Sequence, residues 1–458
     1  MSTVGLPTLG DGLPTPARYW SMLAIGIGIA MSVLDSSLIN IALPMMARDL
    51  QATPSATIWV INAYQIAILT SLLPLAALGE RIGYGRVYRF GLVLFAASSL
   101  ACALSSSLTM LIAARAVQGL GAAGLMSVSG ALVRYTYPDK LLGRGVGLNA
   151  LVVSMAAAIG PTLASGILAL GPWQWLFAIN VPIAVVNLLI AWRALPTSPI
   201  AERPFDQVSA LLSALMFGLF FIAVQSFTHG DGSQSAAAVE LGVAVVAGVL
   251  LVRRNLHIKA PMIPLDLLRI PTFTLSIAAS VGAFSAYMLV FVSLPFYFES
   301  VLGRTTVETG LLMTPWPVAL GLIAPIAGRL SDRVPAAVLG TLGMAMLATA
   351  LLFLARLPVD ASTLDILWRM ALGGLGFGLF QTPNNRTMLT SAPKMRAGAA
   401  GGMMATARLT GMTAGAALAA AMFRLVPDDA GPFNLHIAMG LAVMAATASL
   451  ARSSPRKV

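Results

Sequence analysis

Charge is scarce in this sequence: Asp, Glu, Lys and Arg together make up 10% of the chain, against 58% hydrophobic residues, and the mean hydropathy is +0.85. A soluble globular protein carries about a quarter of its residues as charges, so composition excludes that class. Cysteine is nearly absent. The single Cys102 rules out a disulfide framework and reads as a small core residue. Histidine is almost as rare, and His229, His257 and His436 lack metal-ligand spacing, so no metal site is expected. There is no GxxxxGK[ST] nucleotide loop, which argues against a primary pump. No soluble catalytic domain or nucleophile–base pairing is visible in the line either, so neither an enzyme nor a cofactor is expected.

Long apolar runs fill the space instead. A spanning helix needs about 20 mostly apolar residues. Fourteen such runs occur, near 19–43, 57–78, 87–106, 108–133, 145–170, 174–192, 207–227, 236–252, 272–300, 308–328, 336–355, 365–389, 398–423 and 433–451. The alternating segments of a membrane β-barrel do not occur. The expected fold is an all-α polytopic membrane protein with fourteen transmembrane helices.

The net charge of +11 could suggest a nucleic-acid partner, but its placement decides otherwise. With the N-terminus on the cytoplasmic side, the tails and loops on that side hold 21 of the 28 Lys and Arg residues. Arg48, Arg304, Arg356 and Arg424 lie on the other side, and Arg115, Arg369 and Arg408 lie within helices. Such a bias sets topology. It predicts a multi-pass protein of a cell membrane, with both termini cytoplasmic and no nucleic acid bound. The opening MSTVGLPTLGDGLPTPARYW has Asp11, three prolines and no basic cluster, so the expectation is an uncleaved chain whose first helix is its own insertion signal.

Repetition organises the runs, as it does in many transporters. LGERIGYGR ends the second run and AGRLSDR the tenth; Glu80 and Asp332 are 252 positions apart. RAVQGLGAAGL in the fourth run and RMALGGLGFGLF in the twelfth place Arg115 and Arg369 254 positions apart. Two features sharing nearly one offset predict two six-helix halves. The expected division is a tail at 1–18, a bundle at 19–193, a linker with two extra helices at 194–271, a second bundle at 272–451 and a tail at 452–458. Loops rich in proline and charge at 193–206 and 253–271 mark the seams.

LDSSLINIALP in the first run, GERIGYGR after the second, RAVQGLGAA in the fourth, GPTLASG in the fifth, WQWLFAINVP entering the sixth and GRLSDR after the tenth occur in that order. On these stretches the chain resembles the major facilitator superfamily, in its fourteen-helix drug:proton antiporter branch. It departs from that pattern at Glu80, Ala76, Tyr84, Gly85, Ala156, Ala164, Ser165 and Gln174. The resemblance implies a bacterial inner-membrane, proton-coupled exporter of small amphipathic, cationic compounds, working as a monomer by alternating access. A symporter or exporter of one specific metabolite on the same fold is the alternative. Its partners would be small-molecule substrates, protons and the lipid bilayer.

Asp35 lies some sixteen residues into the first apolar run. Burial raises a carboxylate's pKa, and an ionisable group at membrane depth is a functional candidate by default. Asp35 is therefore the leading proton-coupling candidate, with a structural bond to a neighbouring helix as the alternative. Its replacement by asparagine is expected to spare insertion and abolish transport. Arg115 joins it, since a buried cation costs at least ~2.5–3.5 kcal/mol; Arg369 and Arg408 are weaker candidates. Glu299 is a second acid, either coupling or merely interfacial. Asn40, Asn62, Gln65, Tyr287, Trp316, Gln381 and Asn384 are candidates for the cavity wall, although ordinary interhelical packing is open for each. Asn62 and Tyr64, two apart, cannot both face the cavity cleanly. QTPNNR, residues 381–386, reads as a polar turn. Glu80, Arg81, Gly83, Arg86, Asp332 and Arg333 are candidate gating residues, with topology and solvation as the alternative. Gly160 and Pro161 join them, as a kink or close contact, with a static membrane proline as the alternative.

Overall fold

The structure is a computed structural model that describes residues 12–201, 204–229, 234–256, 258, 261, 264–358, 360–425 and 430–452. Among the described residues, helices are the only regular secondary structure. The long helices are α1 (Ala17–Asp49), α2 (Pro54–Ile82), α3 (Tyr84–Ala103), α4 (Leu108–Thr136), α5 (Leu142–Leu170), α6 (Asn180–Ala194) and α7 (Gln207–His229). They continue as α8 (Gln234–Asn255), α9 (Pro271–Ser300), α10 (Pro315–Ser331), α11 (Ala336–Ala355), α12 (Thr363–Ser391), α13 (Ala397–Leu425) and α14 (Ala430–Ala451). Thirteen spans are long and apolar enough to cross a membrane. The alanine- and glycine-rich α13 is not among them.

Local chemistry sets the helix starts. Thr53, Ser107 and Ser362 each accept a backbone N–H from the first turn that follows them, filling the bonds that a helix N-terminus leaves open. The run at 308–328 is divided: a short helix, Thr306–Met313, carries a capping box between Thr305 and Glu308, and Pro315 then opens α10. The QTPNNR stretch is not a turn. It lies inside the continuous α12, because a broken backbone at membrane depth would leave polar groups without water.

Helices α1–α6 pack into one bundle and α9–α14 into another with matching neighbours: α2 and α3 on α4, as α10 and α11 on α12; α1 on α5, as α9 on α13. Small residues allow the close crossings. A Cβ on Gly121 would lie 2.6 Å from the Phe95 backbone nitrogen of α3. Helices α7 and α8 pack chiefly on each other, and α7 leans on α2. Val239, Val245 and Val246 of α8 are exposed, an apolar face suited to lipid.

The halves meet at one end, the basic one, where the α2–α3, α4–α5, α10–α11 and α12–α13 loops lie. Here α5 crosses α10, and α13 crosses α2 and α4. Every hydrogen bond and ion pair that joins the two bundles among the described residues lies at this end. The cavity between the bundles is therefore closed toward the basic loops.

Candidate substrate cavity and proton site

A cavity of about 250 Å³ lies between the halves. The first bundle contributes a polar wall that includes Ser32, Ser36, Ser37, Tyr64, Gln65 and Ser154. The second contributes Phe284, Tyr287, Trp316, Phe377, Gln381 and Arg408. These rings interlock: Tyr287 and Phe377 have centroids 5.3 Å apart, and Tyr287 meets Trp316 edge-on at 6.1 Å. Arg408 is the sole charged residue lining this space among the described residues.

Asp35 is absent from that lining. It is fully buried inside the first bundle, where Arg115 Nη1 donates to Oδ2, and Gln118 Nε2 and Asn180 Nδ2 donate to Oδ1 at 2.9 and 3.1 Å. Arg115 Nε also donates to the Val60 carbonyl at 3.0 Å, and Gln118 Nε2 donates to Ser99 Oγ at 2.8 Å. The Tyr64 ring covers the Arg115 guanidinium, 4.0 Å from its centroid. Tyr64 also lines the cavity, so one aromatic ring stands between the ion pair and the space where a molecule would sit.

The other expected wall residues divide. Gln65, Tyr287, Trp316 and Gln381 line the cavity. Asn62 does not: it accepts from Gln225 Nε2 at 3.2 Å and so faces α7, because its neighbour Tyr64 takes the inward side of α2. Asn384 is likewise directed elsewhere. It is fully buried within the second bundle, donating to Ser280 Oγ at 2.9 Å and accepting from Arg452 at 2.6 Å. Glu299 is exposed near the end of α9 and outside the cavity. The side chains of Asn40 and Pro161 lie outside the described residues. Helix α5 runs unbroken through Gly160, whose close contact is Ser37 of α1 in the same bundle, 2.5 Å from an added Cβ.

At the basic end, the two acids of the repeated motif reach across the seam. Glu80 accepts from Arg396 Nη1 at 3.1 Å and from the Ala399 backbone at 2.9 Å. Asp332 accepts from the Gly143 backbone at 3.0 Å and lies 4.0 Å from Arg144. Within its own half, Asp332 is 3.3 Å from Arg386. The adjacent Arg81, Arg86 and Arg333 are exposed, so the arginines that face these acids come from other loops. Gly83 turns the chain into α3 with φ of 97°, a conformation that favours glycine.

Sequence reasoning missed Gln118, Asn180, Arg396 and Arg144 as site members. Gln118 lies one turn after Arg115 on the same helix face, a signal that periodicity could have supplied. For Asn180 and Arg396 no local signal exists, since their partners lie 145 and 316 residues away.

Residues 25–416 match the Major Facilitator Superfamily. The chain belongs to that superfamily. It is 52% identical to the uncharacterised transporter YebQ of Escherichia coli (strain K12), with 96% of each chain covered. It is 30% identical to the riboflavin transporter RibZ of Clostridioides difficile (strain 630), covering 89% of this chain and 88% of that one. It is also 30% identical to the multidrug resistance protein Stp of Mycobacterium tuberculosis (strain CDC 1551 / Oshkosh), covering 87% and 74%. This is a multi-pass membrane transporter of the superfamily rather than an enzyme.

Proposed function

We propose that the protein is a proton-coupled secondary active exporter of small amphipathic compounds, monomeric in a bacterial inner membrane. Its fourteen spans comprise two six-helix halves and the inserted pair α7 and α8, with both termini cytoplasmic. The observation that carries this reading is a buried carboxylate one ring away from a cavity closed at its basic end. With that end cytoplasmic, the conformation is the one in which protons arrive from outside. A proton reaching Asp35 dissolves its ion pair with Arg115, and the freed guanidinium loosens its hold under Tyr64. The halves then rock, the Glu80 and Asp332 contacts part, and the proton leaves to the cytoplasm as substrate enters. Proton entry down a membrane potential supplies ~2.3 kcal/mol per 100 mV. The multidrug relative supports export. The cationic cargo expected from family resemblance finds no carboxylate among the described residues that line this cavity.

Proteoliposomes with an imposed pH gradient and a panel of cationic, anionic and neutral amphipaths provide the test. Substrate movement against its own gradient, opposite in direction to the protons, is the expected result. Transport that ignores the pH gradient, or that runs in the same direction as the protons, would overturn the reading.

A further inference from the structure

Arg408 has no partner that its burial would require. It lies eleven residues into α13, which at 1.5 Å per residue places it roughly 17 Å from the basic end, near the middle of a hydrocarbon core of about 30 Å. A cation at that depth is costly and is ordinarily paired. Among the described residues Arg408 makes no hydrogen bond or ion pair, and its Nε is buried and unsatisfied. The indole Nε1 of Trp316, in the same wall, is also buried without a partner. Both atoms can donate and neither can accept. A recess of about 60 Å³ shares Arg408, Gln381 and Phe284 with the cavity and adds Asn385 and Asn149, whose buried Oδ1 has no partner. A guanidinium with the Gln381 and Asn385 amides at the recess, and an indole N–H in the wall of the adjoining cavity, suit a carboxylate, sulfonate or phosphate group. Beside them stand the rings of Phe284, Tyr287, Trp316 and Phe377, which suit a flat apolar body.

We infer that the cavity takes an aromatic anion, its acidic group seated at Arg408 and its ring system held against Tyr287, Trp316 and Phe377. This rests on the reading of the cavity as the transport site. It replaces a cationic cargo with the opposite charge, because a cation placed here would face Arg408 with no compensating carboxylate in the lining among the described residues.

Three probes sharing one ring system test it: 1-naphthaleneacetate, 1-naphthalenemethanol and 1-naphthylmethylammonium. Their binding to the purified full chain is measured by calorimetry, with no gradient present. The carboxylate is expected to bind at least tenfold more tightly than the ammonium. Arg408→Gln should abolish that difference and Arg408→Lys should keep part of it. Trp316→Phe, which keeps a ring and removes the N–H, should weaken the carboxylate more than the alcohol. Should Arg408→Gln fail to fold, shown by its elution profile, the selectivity of the unmodified chain and the Trp316→Phe variant decide the matter. Ammonium binding equal to or tighter than carboxylate binding, no carboxylate binding, or carboxylate binding unchanged in a folded Arg408→Gln would overturn the inference. A carboxylate that binds selectively but is not moved by a pH gradient in proteoliposomes would instead overturn the export reading and leave the site standing.

Discussion

Glu80 at the end of α2 and Arg396 just before α13 lie 316 residues apart in sequence, yet Arg396 Nη1 donates to Glu80 Oε2 at 3.1 Å across the seam between the halves. Arg396 is held from its other side by Asp266, at 2.8 and 3.0 Å. Glu80→Ala therefore leaves the arginine with one acid rather than none but orphans the buried Ala399 N–H, and its cost to the closed state is about 1–3 kcal/mol, the range for an orphaned buried partner. Spin labels at Lys140→Cys and Met395→Cys, on opposite halves, should report a longer and broader distance distribution in Glu80→Ala. An unchanged distribution would remove Glu80 from the latch.

The same labels test a pH effect at Asp332. Burial pushes this carboxyl above the usual aspartate range, while the Gly143 N–H, Arg386 and Arg144 pull it down. A carboxyl with a raised pKa in the closed state prefers its proton there, so acid favours closure, and the effect is lost as pH rises through the raised value. With Asp35→Asn in the background, so that protonation there cannot part the halves, acidification from pH 7 toward 4 should shorten the mean label distance. Asp332→Asn should flatten that response.

A steric wedge gives a charge-free test of the seam. A Cβ on Gly328 of α10 would lie 2.4 Å from the Gly143 carbonyl oxygen of α5, a backbone atom that cannot swing aside. Gly328→Val should force the basic ends apart and lengthen the label distance while each bundle stays folded. Gly440→Val, where nothing lies within 4 Å of the added carbon, is the matched control and should leave it unchanged.

Asp35 carries a prediction that the ion pair alters. Asparagine at this position leaves Arg115 buried with no counter-charge, which costs about 3–5 kcal/mol, so the expectation of unharmed Asp35→Asn protein gives way to a lower thermal unfolding temperature. Asp35→Asn combined with Arg115→Gln should regain much of that temperature and still fail to couple transport to protons. Proton-driven transport by the double variant at the unmodified rate would show that Asp35 is not the coupling carboxylate.

Much of this architecture is legible in the sequence because the bilayer imposes a one-dimensional rule. A segment that crosses must be helical and apolar along its own length, so thirteen of the expected spans can be read from local composition. The acids Glu80 and Asp332 were legible for a similar reason, as they recur at one offset next to turn glycines and helix ends. The capping box at Thr305 and Glu308 is equally local.

What tertiary structure alone decided is which polar groups meet. Asp35 stood out in the line as a carboxylate at membrane depth, but whether it faced the cavity or a partner depended on how α1, α4 and α6 rotate against one another, and their packing surfaces are almost uniformly apolar. Asn62 and Asn384 looked like cavity residues for the same reason and belong to other contacts. Arg408 received little weight from sequence because an isolated arginine is ambiguous; its significance lies in the missing carboxylate around it. The sequence by itself determined where helices run, since each must satisfy its own backbone in lipid. The identity of each charge's partner was left to the fold, because those pairings join residues tens to hundreds of positions apart and no periodicity records them.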